Sequence, residues 1–270
     1  MKKYTKALLL TFNILMACIL AFPLFYAVSL SFMNSAEIHA IRLLPSAPVL
    51  YNYTDALKTA PLLRFIMNSF IVSSVVMLSQ IFTGSLAGYA LSILRFKGQK
   101  VVFLILLSTM MIPLQVIMIA NYMTITKLHL LDSMISLILP YMTSSFCIFN
   151  MRLAFMKLPY DLKEASVVDG CGDFRFYISI AMPIIKPNIA AIGIYSFVTT
   201  WNQYLWPLLV TNTETNRTVQ IGMGMLLNED STNVGVVMAG AVIVLIPTIT
   251  IFVIGHKYIV AGLTAGAVKG

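Results

Sequence analysis

Four of the chain's ten acidic residues, Asp161, Glu164, Asp169 and Asp173, fall in one short segment, and they are the densest carboxylates available for acid–base chemistry. An enzyme built on them would need a convergent acid, base, nucleophile or metal set. The same stretch carries Arg152, Lys157, Lys163 and Arg175, so it reads as a charge-balanced loop. His39, His129 and His256 lie far apart and lack metal-ligand spacing. Cys18, Cys147 and Cys171 form no CxxC, and two of them sit inside apolar runs as small buried side chains. We therefore expect no catalytic residue, no metal and no enzymatic activity in the chain itself.

The residues around these groups belong in lipid. The chain has 270 residues, of which 59% are hydrophobic and 10% charged, and its mean hydropathy is +0.88. A soluble domain carries about 25% charged residues. So little charge cannot cover a water-facing globule. A membrane-crossing helix needs roughly 20 mostly apolar residues, and six stretches meet that length. They run approximately over Ala7 to Phe32, Phe65 to Leu94, Val101 to Thr126, Ser133 to Met151, Ile184 to Leu209 and Val234 to Gly255. The expected fold class is an all-α membrane protein with six transmembrane helices.

The net charge of +8 does not point to nucleic acid, because the basic residues flank apolar runs and form no patch. They set orientation instead. With the N-terminus cytoplasmic, the inner segments hold Lys2, Lys3, Lys6, Arg95, Lys97, Lys100, Arg152, Lys157, Lys163, Arg175, Lys186, Lys257 and Lys269. The outer segments then hold only Arg42, Lys58, Arg64, Lys127 and Arg217. Both termini are expected in the cytoplasm. Leu15-Met16-Ala17-Cys18 faintly resembles a lipoprotein cleavage box, but the apolar run continues past it, so a retained first span is expected. Two outer segments are long: Met33 to Arg64, with Pro45, Pro48, Pro61 and Tyr51-Asn52-Tyr53, and the polar stretch Thr211 to Asn233. Each is a connecting loop or a docking surface for an external partner.

The spans hold almost no ionisable groups, with Lys186 at the edge of the fifth able to snorkel. Ion-coupled carriers rely on intramembrane acids, histidines or arginines, so any transport must draw its energy from elsewhere. The polar groups within the spans are neutral. Asn68, Gln80, Gln115, Asn202 and Gln203 are the candidate translocation path, since amides hydrogen-bond a polyol without fixing a charge in low dielectric. Taken singly, each more simply bonds a neighbouring helix, a role of ~0.6–2 kcal/mol. Gly84-xxx-Gly88 reads as a close helix contact.

The segment between the fourth and fifth spans opens like a capped helix. Asp161 and Glu164 have capping-box spacing, and Pro159 begins the turn. Leu162, Ala165, Val168 and Asp169 recur on one semi-apolar face, and Gly170 and Gly172 stop the helix. A second amphipathic piece presents Phe174, Tyr177, Ile178 and Met182 before Pro183 and Pro187 redirect the chain. A short, rigid helix on such a loop has the shape of a plug for a cleft on another protein.

The run Glu164-Ala165-Ser166-(Val-Val)-Asp169-Gly170 resembles the EAA motif of bacterial ABC importer permeases. Trp201-Asn202, Leu86-Ala87-Gly88-Tyr89-Ala90-Leu91 and the tail from Gly262 to Gly270 are similar to the sugar-importer branch, that of maltose, glycerol-3-phosphate, lactose and arabinose-oligomer systems. Ser166 stands where alanine is usual, and Cys171-Gly172 replaces the customary small pair. The resemblance implies the type I importer permease fold in a bacterial cytoplasmic membrane. It implies an ATPase-coupling helix with Asp161, Glu164, Ala165, Ser166, Asp169 and Gly170 as its residues. Ala165 would permit close approach, Glu164 would make polar contacts and Gly170 would allow the turn. It divides the chain into a first helix and outer loop (1–63), a five-helix core with coupling loop 152–186 (64–255) and a cytoplasmic tail (256–270).

No G-x-x-x-x-G-K-[ST] is present, so ATP and Mg are expected on a partner ATPase and no cofactor on this chain. The implied partners are an ABC ATPase dimer, a second, paralogous permease, an extracellular or periplasmic sugar-binding protein and membrane lipid. A permease for a non-sugar solute and an ion-coupled secondary carrier are the rival readings.

Overall fold

The computed structural model describes residues 2–229 and 233–264, and every regular element among them is helical. Three helices are each long and apolar enough to cross a membrane: α1 (Lys2–Ser31), α4 (Leu62–Ala90) and α14 (Val234–Thr264). Two short helices, α2 (Ser35–His39) and α3 (Tyr51–Thr59), lie between the first two. Three helix pairs reach the same length only together, each bent at a break: α5 (Gln99–Thr109) with α6 (Leu114–Lys127) at 95°, α7 (Met134–Tyr141) with α8 (Ser145–Phe155) at 47°, and, beyond the short helix α9 (Tyr160–Val168), α10 (Asp173–Ile184) with α11 (Lys186–Trp201) at 78°. Counted as one span each, the pairs bring the number to six.

The expected third and fourth spans are each broken into two helices. Pro113 disfavours helical backbone at Ile112 and itself sits extended (φ −60, ψ 135) as the N-cap of α6. Pro140 tightens the end of α7 into a 3-10 turn, and Ser144 recaps the chain by accepting the Cys147 N–H. The fifth span was expected to reach Leu209. Its helix stops at Trp201, and after Asn202-Gln203-Tyr204 a separate helix, α12 (Leu205–Val210), begins. A last helix, α13 (Val219–Glu229), precedes α14.

The chain divides into two compact units, one of residues up to Arg64 with Ile221–Pro247, the other of Phe65–Gln220 with the chain from Thr248 on. In the first, Asn52 is fully buried and donates from Nδ2 to the Ser31 and Met33 carbonyls (3.0 and 2.8 Å), closing the chain end of α1 onto α3. Gly235 sits against this amide, because a Cβ there would stand 2.6 Å from Nδ2. Glu37 organises the loop after α1. It forms a capping box with Asn34 and accepts the N–H (2.8 Å) and the hydroxyl of Ser46. Those two bonds, with help from the Arg42 guanidinium, hold its carboxyl below the ordinary range despite burial. A carboxylate with a lowered pKa stabilises the folded loop above its unfolded value, and that support is lost as pH falls through the lowered one. Limited proteolysis between Asn34 and Ser46 should therefore accelerate only below the usual carboxylate range. Glu37→Gln should cleave fast at neutral pH, and a loop equally resistant in both forms would contradict this assignment.

Among its described residues the second unit has two cores. One gathers Tyr89, Cys147, Met151, Phe155, Phe176 and Tyr177, and the other Val72, Val76, Ile125, Leu137, Trp206 and Val210. Gly84 and Gly88 face α8, as the small-xxx-small spacing predicts. A Cβ on Gly84 would meet Cys147 at 3.4 Å, an ordinary contact. On Gly88 it would lie 2.7 Å from the Met151 Cβ and 2.8 Å from the Arg152 nitrogen.

Candidate functional site

The loop between α8 and α10 leaves one helix almost bare. Pro159 is the N-cap of α9 (φ −58, ψ 131), and no side chain caps it. The expected capping box of Asp161 and Glu164 is absent. Proline's fixed φ starts the helix two residues early, at Tyr160, which places Asp161 inside the first turn with its own backbone already helical. Its carboxylate still faces the positive end of the helix dipole. The far end closes as a Schellman motif: Gly170 (φ +71) donates to Val167 O at 3.0 Å and Cys171 to Ser166 O at 2.8 Å. Gly172 does not share the stopping role. It is extended (φ −69, ψ 160) and serves as the N-cap of α10.

Only Ser166 of α9 is buried, its hydroxyl donating back to Lys163 O at 2.7 Å. Leu162, Ala165, Val168 and Asp169 all face outward, with Val168 86% exposed. The semi-apolar face read from the spacing is thus presented away from the protein. Glu164 is exposed beside it.

What holds α9 was not legible from spacing. Lys163 Nζ is 2.6 Å from Asp173 Oδ1 and 4.7 Å from the centre of the Phe176 ring, so ion pair and cation–π contact tie α9 to α10. The Tyr89 hydroxyl donates to the Asp173 carbonyl at 3.1 Å, and the Ser85 and Tyr177 hydroxyls pair at 2.7 Å. Arg95 reaches the Tyr160 hydroxyl at 3.4 Å from the α4–α5 hairpin. The loop helix is therefore fastened, through α10, to α4. Lys163 and Asp173 lie on either side of the Gly170 turn, and Ser85 and Tyr177 are 92 residues apart, so no local pattern announces either pair.

In α10 the buried side is Phe176, Tyr177 and Ala181, while Phe174 and Ile178 are exposed. The expected face of Phe174, Tyr177, Ile178 and Met182 is corrected by a π-helical turn over Tyr177–Ala181, which widens the repeat beyond 3.6 residues.

The candidate path residues separate into two kinds. Asn68 is 6% exposed and donates to the Thr215 and Arg217 carbonyls (2.9 and 2.8 Å). Gln80 is 8% exposed; its Nε2 donates to Tyr141 O, and its Oε1 accepts from the Ser196 hydroxyl and the Cys147 thiol. Both amides are engaged in ties between elements. Gln115 and Asn202 are exposed and Gln203 half-buried, Asn202 accepting one bond from Gln220 Nε2 at 3.3 Å. All three sit at helix breaks: Gln115 in the first turn of α6, the other two between α11 and α12.

The loop after α12 is pinned as firmly. Asp132 Oδ1 accepts the Asn212 and Thr213 N–H groups (3.1 and 3.2 Å), and the Ser69 hydroxyl accepts that of Val219 (2.9 Å). Partial burial alone would raise the Asp132 pKa, but the bonds from Thr213, Asn212 and Asn216 outweigh it and hold the carboxyl low.

Among the described residues, apolar helices of membrane-crossing length, three of them bent pairs, accompany the exposed helix α9. The chain belongs to the family of binding-protein-dependent transport system inner membrane components, whose pattern matches residues 80–264. It is 32% identical over 264 residues to the arabinooligosaccharides transport system permease protein AraQ of Bacillus subtilis (strain 168), covering 96% of this chain and 94% of the relative. It is 34% identical over 256 residues to the sn-glycerol-3-phosphate transport system permease protein UgpE of Brucella abortus (strain 2308), covering 91% of each. Its fold matches a chain in the crystal structure of a bacterial ABC transporter involved in the import of the acidic polysaccharide alginate, with a TM-score of 0.81 over 95% of both chains and 24% identity.

Proposed function

We propose that this chain is one of two permease subunits of an ATP-binding-cassette importer that carries an oligosaccharide or sugar derivative across the bacterial cytoplasmic membrane. The outward face of α9 carries the reading. A helix that keeps Leu162, Ala165 and Val168 in solvent while its single buried residue is Ser166 is built to be covered by another protein. That protein is a separate ATPase dimer, which binds ATP and Mg. Asp161 and Glu164 supply polar contacts at its groove, Ala165 the close approach, and Asp169 and Gly170 the turn. Movement of the ATPase passes from α9 through Lys163–Asp173 and Tyr89 into α4.

The carbohydrate assignment rests on the relatives and on the neutral amides. Gln115, Asn202 and Gln203 are our path residues, since broken helices place polar backbone and side chains along a cavity. Asn68 and Gln80 serve the fold that positions them. The remaining partners are a second, paralogous permease and an external sugar-binding protein that meets the pinned 211–218 loop.

The positive-inside bias supports a cytoplasmic position for both termini and α9. In a background lacking the native cysteines, Glu214→Cys should label with a membrane-impermeant thiol reagent from outside and Lys97→Cys only after the membrane is opened. The reverse pattern would overturn the orientation. The role itself is tested by affinity purification of the full chain from membranes. An ATPase, a second permease and a binding protein should accompany it. A chain that comes alone and transports in vesicles without ATP would be a secondary carrier.

A further inference from the structure

Where the end of α4 meets α5 and α8 there is a cavity of about 350 Å3. Its polar lining is Lys100, Arg152, Gln99 and Ser92, and no acidic side chain lines it. Its walls are apolar, chiefly Phe103, Leu104 and Met156.

Arg152 is set in place before any ligand arrives. Its Nε donates to the Leu91 carbonyl at 3.0 Å, and its guanidinium lies 3.9 Å from the centre of the Phe103 ring. These contacts fix the plane of the group. Its two terminal nitrogens form no hydrogen bond or ion pair among the described residues. An oriented fork of donors fits an anionic oxygen pair, and phosphate above all.

The surroundings select the kind of phosphate. The cavity opens where the polar turn Gly98-Gln99-Lys100 gives way to the apolar α5, the level at which headgroups lie against a spanning segment. From its mouth α5 continues as an exposed apolar surface, with Val101, Leu104 and Ile105 at 59%, 63% and 59% exposure. A soluble phosphate would use the polar lining and leave this wall wet. A lipid uses both.

We propose that this cavity binds the headgroup of an anionic phospholipid, with Arg152 and Lys100 on the phosphate and an acyl chain along Phe103 and Leu104. The site requires only that α5 lies in the bilayer, so it stands or falls separately from the transport role.

Native mass spectrometry of the full chain, released from detergent after exposure to phosphatidylglycerol, phosphatidylcholine or inorganic phosphate, tests it. Phosphatidylglycerol should be retained about tenfold or more over phosphatidylcholine, and removing either cation should weaken retention about fivefold. Lys100→Gln breaks no hydrogen bond among the described residues and is the decisive variant; Arg152→Gln adds to it if circular dichroism shows the fold intact. Lys157→Gln, an exposed cation on the adjoining loop, should retain the lipid unchanged. Equal retention of the two lipids, a Lys100→Gln chain that holds phosphatidylglycerol like the parent, or displacement of the lipid by millimolar phosphate would each overturn the proposal.

Discussion

Gly170→Val is expected to abolish ATP-driven uptake while leaving the chain inserted and folded in the membrane. Gly170 stands at φ +71 with open space around its α-carbon, so the obstacle is backbone conformation and not crowding. Left-handed backbone costs an ordinary residue about 1–2 kcal/mol, and a β-branched one more. Valine would be relieved by unwinding the Schellman turn, which frees the Val167 and Ser166 carbonyls and swings Asp169 and Val168 off the outward face of α9. A series decides the cause. Asparagine tolerates left-handed backbone, so Gly170→Asn should keep most uptake, Gly170→Ala should be intermediate and Gly170→Val should have almost none. Uptake assays beside quantified membrane protein give the answer. Normal uptake in the valine variant would remove the role assigned to this loop.

Gly88→Val should act on the fold itself. The first atom added at Gly88 meets the Met151 Cβ at 2.7 Å and main-chain atoms at 2.8 and 3.0 Å, and main chain cannot rotate away. Overpacking of this kind costs about 1–3 kcal/mol for a single methyl, and more when backbone must move. Pushing α8 from α4 would also disturb Tyr89, whose ring touches Phe155 and Tyr177 and whose hydroxyl holds Asp173. Gly88→Ala should lower the thermal unfolding midpoint in detergent and Gly88→Val should prevent accumulation. Gly84→Ala, with its nearest contact at 3.4 Å, should be close to neutral. Equal effects at 84 and 88 would contradict the close approach at Gly88.

Hydropathy made the apolar stretches legible because lipid demands length and apolarity together, and both leave a mark in any window of the chain. It could not reveal that three of them are broken. Pro113, Pro140 and Pro187 are written in the sequence, yet Pro23 and Pro247 lie within helices that continue through them. A proline states only that a hydrogen bond is missing, and the neighbours decide whether the chain bends. The loop helix was legible from Gly170, whose left-handed turn only glycine adopts cheaply. Its start lies two residues before the expected one, because Asp161 has the right type and spacing for a cap that Pro159 pre-empts.

The polar residues of the spans show the sharper limit. Asn68, Gln80, Gln115, Asn202 and Gln203 are alike in type and in apolar surroundings. Gln80 is engaged by Tyr141, Cys147 and Ser196, and Asn68 by Thr215 and Arg217, partners 61 to 149 residues away. Only the fold separates an amide spent on packing from one left facing open space. The same holds for Lys163 and Asp173, which balance one another in the loop's charge but gain meaning from the turn that brings them together.

The central claim is that the outward face of α9 seats in the ATPase, and site-specific cross-linking tests it most directly. A photo-reactive side chain placed at Val168, and separately one at Lys157 on the preceding turn, would be activated in membranes containing the complete transporter. The account predicts an adduct between Val168 and the ATPase chain, lost when the ATPase is stripped from the membrane, with little from Lys157. No adduct at Val168, or one formed only with lipid or another part of the permease, would contradict it.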